Sequence, residues 1–176
     1  MTIKRWITIL YFSFAITIVF CQRGSPAIGR VKNPSFDKTI ASMLNFSVPV
    51  LSVQEAKSKS GVTYLDAREP QEYEVSRIPG ALYIGAKEFD PKAVEALSKD
   101  QALVVYCSVG YRSEKIGTKL KALGFTNVYN LYGSIFEWAN VGYPLVDAHN
   151  QPTKNLHTYN KKWSQWVDNK EIVKVW

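Results

Sequence analysis

Short blocks of apolar residues recur along this chain at spacings that change from helical to strand-like and back. Phe36, Ile40, Met43 and Leu44 fall at i, i+4, i+7 and i+8, which predicts one helical face with Ser35 as its cap and a place at the domain edge. From Val48 the rhythm changes. Val48–Leu51, Val62–Leu65, Ala81–Ile84, Leu103–Tyr106 and Val128–Leu131 read as strands. Between them lie helical stretches. Ser52 with Glu55 makes a capping-box pattern that Gly61 closes. Pro70–Val75, Pro91–Leu97 after Asp90, Ser113–Leu123 before Gly124, and Ser134–Asn140 before Gly142 follow.

Strands that alternate with helices at short intervals predict an α/β fold, a mostly parallel sheet with helices on both faces. Leu103–Tyr106 is apolar without interruption, as a strand buried on both faces should be. The end of the chain is polar, then aromatic. Tyr159, Trp163, Trp166 and Val167 suggest one face of a helix that covers the domain.

Composition narrows the class. The chain has 176 residues, 46% hydrophobic and 21% charged, enough for one ordinary domain with extensions and too apolar for general disorder. Two cysteines exclude a disulfide scaffold or a multi-cysteine zinc module. The two histidines, His149 and His157, read as surface residues of the tail, so no metal or other cofactor is expected. The net charge of +7 is dispersed, without a basic-aromatic stripe, and nucleic-acid binding is not expected.

The first residues carry Lys4 and Arg5, then an uncharged run from Trp6 to Phe20, then Cys21 and a polar stretch. A basic segment followed by a short apolar one reads as an export signal. With Cys21 directly after it, the segment resembles a bacterial lipoprotein precursor, which would make Cys21 the lipidation site; Phe20 stands where that pattern prefers a small residue. An uncleaved membrane anchor and ordinary signal cleavage are the alternatives. All three put the folded domain outside the cytoplasm, attached to the membrane in the first two. The organisation expected is a signal or anchor at 1–21, a linker and N-terminal helix at 22–46, a catalytic domain at 47–146 and an extension at 147–176.

The candidate chemistry lies in VVYCSVGYRSEKIG, residues 104–117. A buried parallel strand delivers Cys107 to the carboxyl edge of the sheet, where open α/β sheets bind ligands. Ser108, Val109, Gly110 and Tyr111 must curl before a helix starting at Ser113, and Gly110 permits an unusual turn. Such a loop aims N–H groups at the sulfur, the helix start adds positive potential, and Arg112 adds a cation. Together they favour thiolate, the reactive form. The alternative is an inert cysteine buried after a strand; loop, arginine and helix together tilt the balance to catalysis.

This segment resembles the active-site loop of the rhodanese-like sulfurtransferases: a cysteine, four residues, then arginine. Two flanking stretches agree. LDAREPQEYEVSRIPGALYIG, residues 65–85, is similar to the upstream motif of that family, with Asp66, Arg68, Glu69, Pro70, Glu72, Tyr73 and Ile78-Pro79-Gly80-Ala81 in place. LYGSIFEWANVGYPLV, residues 131–146, is similar to its closing motif, with Gly133, Trp138, Gly142 and Pro144. Ser76-Arg77 replace the usual Gly-His, and Gly133-Ser134 replace Gly-Gly; neither departure is expected to touch the sulfur-bearing loop, although Arg77 would add a cation to the region. Related phosphatases carry five residues between cysteine and arginine, whereas here Ser113 stands at that place.

The resemblance implies a rhodanese-like fold and a two-step sulfur transfer. Cys107 takes sulfane sulfur from a small sulfur-containing anion such as thiosulfate, or from a persulfide, and passes it to cyanide or a thiol. N–H groups of residues 108–112 would stabilise the persulfide and Arg112 would orient the donor. Asp66 and Arg68 would support the loop, with Ser113, and Trp138 would belong to the core. A binding module with an idle or redox-sensing cysteine is the competing reading.

Overall fold

The computed structural model describes residues 30–176; the signal or anchor read at 1–21, with Cys21, and the linker residues 22–29 lie outside the described residues. Helix α1 spans Pro34–Met43. Its cap is Asn33, not Ser35: Asn33 Oδ1 accepts from the N–H groups of Ser35 and Phe36 at 3.0 and 3.2 Å. Pro34 fills the first helical position, where its missing N–H costs nothing, and so sets the start two residues earlier. Phe36 and Ile40 are sealed in the main apolar cluster.

Strand β1 (Val50–Leu51) leads to α2 (Val53–Ser58), which starts with the Ser52–Glu55 capping box read from the sequence. There follow β2 (Val62–Asp66), α3 (Pro70–Val75) and β3 (Leu82–Tyr83). The helix expected at Pro91–Leu97 is one 3-10 turn, Pro91–Val94, capped by Asp90; Val94 alone is buried there, so no apolar stripe holds a longer helix. Then come β4 (Ala102–Tyr106), α4 (Tyr111–Ala122), β5 (Val128–Leu131) and α5 (Ser134–Asn140).

The five strands form a parallel sheet in the order β1-β5-β4-β2-β3. Strand β4 is central. Its residues alternate between two apolar layers: Val104 and Tyr106 face the layer of α1, α2 and α5, while Leu103 and Val105 face that of α4. All four are fully buried, and removing such side chains from water contributes about 1.5–3 kcal/mol each. The alternation is why the run reads as featureless apolar sequence yet serves two layers.

The tail contradicts its helical spacing. Strand β6 (Leu145–Val146) pairs antiparallel with β7 (Pro152–Thr153), and β8 (Asn155–His157) pairs parallel with β9 (Val173–Val175). Of the expected helix only the 3-10 turn Trp163–Trp166 remains. Tyr159 stands at φ 65°, which breaks any helix through it, and Asn160 Oδ1 accepts from Trp163 N–H to begin the turn afresh. The tail nevertheless covers the domain. Leu156 and Val167 join the main cluster, and Trp166 stacks on Phe36 at 5.4 Å between ring centres.

Candidate active site

Strand β4 ends at Tyr106 and places Cys107 at the carboxyl edge. The loop is shorter than the sequence suggests. Helix α4 begins at Tyr111, two residues before Ser113, with Gly110 as N-cap at φ 120°. A Cβ there would meet nothing closer than 3.6 Å, so backbone geometry, not space, calls for glycine. That turn brings Gly110 N–H to 3.2 Å from Cys107 Sγ.

Ser113 Oγ stands 3.6 Å from Sγ and 2.7 Å from Asn130 Oδ1, and its single proton belongs with the closer acceptor. Asn130, on β5, also donates to Gly110 carbonyl at 3.0 Å. The loop is thereby tied to the neighbouring strand at both ends of one amide.

Arg112 is held from α3. Its Nη1 and Nη2 donate to the two oxygens of Glu72 at 2.6 and 2.9 Å, and Nη2 also reaches Ser108 Oγ at 2.9 Å. Ser108 Oγ donates to Glu72 Oε1 at 3.0 Å, closing the set. Glu72 is 1% exposed at its side chain and Arg112 is 20% exposed. Burial pushes the Glu72 carboxyl up, but the Arg112 guanidinium more than offsets it and holds the group below the usual carboxylate range.

The same balance acts on sulfur. Burial pushes the Cys107 thiol up; Arg112, Ser113 and the Gly110 N–H pull it down further, leaving it below its ordinary value. Cys107 itself is 1% exposed, yet it forms part of the wall of a cavity of about 290 Å³. Ser108, Val109, Tyr111 and Arg112 line the same cavity, and Met43, Tyr159 and Trp163 complete it. The residue is thus out of bulk water and still borders open space.

Asp66 and Arg68 stand apart from that space. Arg68 Nε and Nη2 bind Asp66 at 3.0, 3.1 and 2.6 Å, and both side chains are fully sealed. Arg77 is turned away as well: it stacks over Tyr73 and donates to Ala148 carbonyl and Asn150 Oδ1 in the tail, so it adds no cation to the sulfur loop. Ser134 corrects the other expectation. Its Oγ accepts from Cys107 N–H at 3.1 Å and donates to Leu131 carbonyl at 3.0 Å, so the residue in place of the second glycine does touch the loop. Trp138 is core, as read, with its indole N–H donating to Pro144 carbonyl. Among the described residues no three His, Cys, Asp or Glu side chains gather as metal ligands.

The family model of the rhodanese-like domain matches residues 51–141, more than half of the chain. This chain belongs to that family. The chain is 36% identical over 114 residues to a tRNA uridine(34) hydroxylase of Salmonella newport, covering 62% of this chain and 32% of that protein. An Escherichia coli protein of the same name is 34% identical with the same coverage. The match therefore spans about a third of the length of these relatives. Among solved structures, a Bacillus halodurans protein superposes with TM-score 0.51 at 24% identity, covering 66% of this chain and 88% of that one. A thiosulfate sulfurtransferase of Pseudomonas aeruginosa gives TM-score 0.52 at 22% identity over 68% of this chain and 23% of its own. Both likenesses support the mostly parallel sheet of the rhodanese fold.

Three features of this rhodanese site escape the sequence reading. Glu72 was visible only as a motif member, Asn130 not at all, and the tail residues Tyr159 and Trp163 only as an apolar strip. Each reaches the site through tertiary structure: Glu72 is 36 positions from Ser108, and Asn130 is 20 from Gly110. His157 is half-buried, close enough to Glu72, Arg68 and Arg112 to feel their charges, and burial pushes it down; His149 is exposed.

Proposed function

We propose that this chain is a sulfurtransferase in which Cys107 carries sulfane sulfur as a persulfide. The observation that carries the proposal is the sulfur of Cys107, favoured as thiolate, in the wall of a cavity it shares with Arg112. In the first step the thiolate attacks the outer sulfur of the donor. One S–S bond forms and the donor's S–S bond breaks, its electron pair leaving with the donor body as sulfite or a thiolate. In the second step cyanide or a thiolate attacks the same sulfur and Cys107 leaves as thiolate. The Gly110 N–H points at Sγ and favours its negative charge in the resting state. Arg112 supplies positive potential through its fixed pair with Glu72.

The basic and apolar segment before Cys21 supports a location outside the cytoplasm, with lipidation at Cys21 as the means of attachment. Intact mass of protein from native membranes reads that modification directly; an unmodified Cys21 in the mature chain overturns it.

The catalytic test is mass spectrometry of the full chain after exposure to thiosulfate or an organic hydropersulfide. Gain of one sulfur on Cys107, its release by cyanide, and loss of turnover by at least about a thousandfold in Cys107→Ser are expected. A Cys107 that takes sulfur from neither donor overturns the proposal in favour of a binding module.

A further inference from the structure

The walls of the cavity beside Cys107 have two origins. The residues from Cys107 to Arg112 lie within the region matched by the family model. The others do not: Met43 comes from α1, and Tyr159 and Trp163 from the tail. The two tail residues are fixed in place. Thr158 donates to Val175 carbonyl through both N–H and Oγ1, at 2.6 and 3.1 Å, Tyr159 N–H donates to His157 Nδ1, and Trp163 N–H is capped by Asn160. The Tyr159 ring stands 5.4 Å from the Arg112 guanidinium carbon.

Arg112 is the one cationic side chain among the described residues of the lining, and its terminal nitrogens are already engaged. Both its terminal nitrogens engage Glu72, one also engages Ser108, and Glu69 lies 3.8 Å away. A doubly charged inorganic donor would have to shed water against a cation whose terminal nitrogens a buried carboxylate already holds. It would also face the thiolate it must react with. The remaining lining, Met43, Val109, Tyr111, Tyr159 and Trp163, offers apolar and aromatic surface instead. The volume, about 290 Å³, lies at the lower end of small-molecule sites, which run from about 300 Å³.

We infer that the donor is an organic hydropersulfide, R–S–SH, whose apolar R group packs on Tyr159, Trp163 and Met43, in preference to thiosulfate. The inference rests on the sulfurtransferase reading and narrows it. The step balances without an oxidant: Cys107–S⁻ and R–S–SH give Cys107–S–SH and R–S⁻, one S–S bond exchanged for another. The tail is then a specificity element of the site as well as a cover of the core.

The test uses the full chain and the rate of sulfur loading on Cys107, followed by mass spectrometry, with benzyl hydropersulfide and thiosulfate as probes. Loading at least tenfold faster from the hydropersulfide is expected. The ratio of the two rates should fall about tenfold in Tyr159→Ala and in Trp163→Ala, and stay within twofold in Tyr159→Phe. Intrinsic donor reactivity cancels when variants are compared. Tyr159 is 53% exposed, so its truncation leaves the core intact. A ratio unmoved in both alanine variants, or thiosulfate the faster donor of the native chain, overturns the inference while sulfur transfer stands. No loading from either probe overturns the sulfurtransferase reading beneath it.

Discussion

Two loops leave the carboxyl edge of the sheet side by side, one after β2 and one after β4, and the register pairs Asp66 with Tyr106. Each carries an arginine bound to a carboxylate. After β2, Arg68 binds Asp66 two residues away, with neither side chain exposed, and also donates to Ser76 carbonyl. After β4, Arg112 reaches across to Glu72 on α3 and stays one-fifth exposed beside a cavity. The chemistry of the two pairs is the same; the surroundings assign the roles. A sealed local pair fixes the course of its own backbone. A half-open pair made between elements projects potential into the space next to it. The loops are also joined, because Glu72 belongs to the helix that follows the first and accepts from Glu69 N–H at its start.

Arg68→Met should break this comparison most severely. It strands Asp66 without its cation in a sealed site, and losing one partner of a buried pair costs about 3–5 kcal/mol. Urea unfolding measures it; a loss below about 1 kcal/mol would show that the sealed pair is not structural. Arg112→Gln should act on chemistry more than on folding. Sulfur loading at neutral pH should fall about ten- to a hundredfold, since the cation that most favours the thiolate is gone.

The pH profile sharpens the point. In the native chain loading should rise with pH and level off at a lower pH than the reaction of a free thiol does, because the folded thiol ionises earlier. In Arg112→Gln that rise should move up in pH. The linkage has one sign. The depressed folded value contributes stability that is complete above the unfolded thiol value and is lost as pH falls through the folded one. Denaturant titrations of native chain and Cys107→Ser across that window should diverge upward with pH. Ser113→Ala should give the smallest effect, about 1 kcal/mol of stability from the lost bond to Asn130, with at most a slight upward move of the loading profile.

Periodicity made the sheet legible because strands β2, β4 and β5 place alternate residues in two apolar layers. Helix starts were less legible. Ser35 looks like a cap and Ser113 like the start of a helix, yet Asn33 caps the first and the second starts at Tyr111 behind Gly110, since Pro34 and the φ of Gly110 decide where the turn closes. Cys107 and Arg112 could be read as sulfur and cation from their spacing. What the arginine is bound to could not, because Glu72 lies on another helix. The tail misleads for a related reason: its aromatics recur at helical intervals, but what orders them is strand pairing and burial against α1.

Ser134 carries a mechanical consequence. Held at φ 52°, a conformation costly for a side chain with a Cβ, it clasps the amide of Cys107 at the tip of one strand and the carbonyl of Leu131 at the tip of the next. The reactive atom therefore stands on a pedestal whose height is set by two strands at once. Its aim inherits the stiffness of the sheet beneath it, leaving the curl of the loop free to tune charge without having to bear the load.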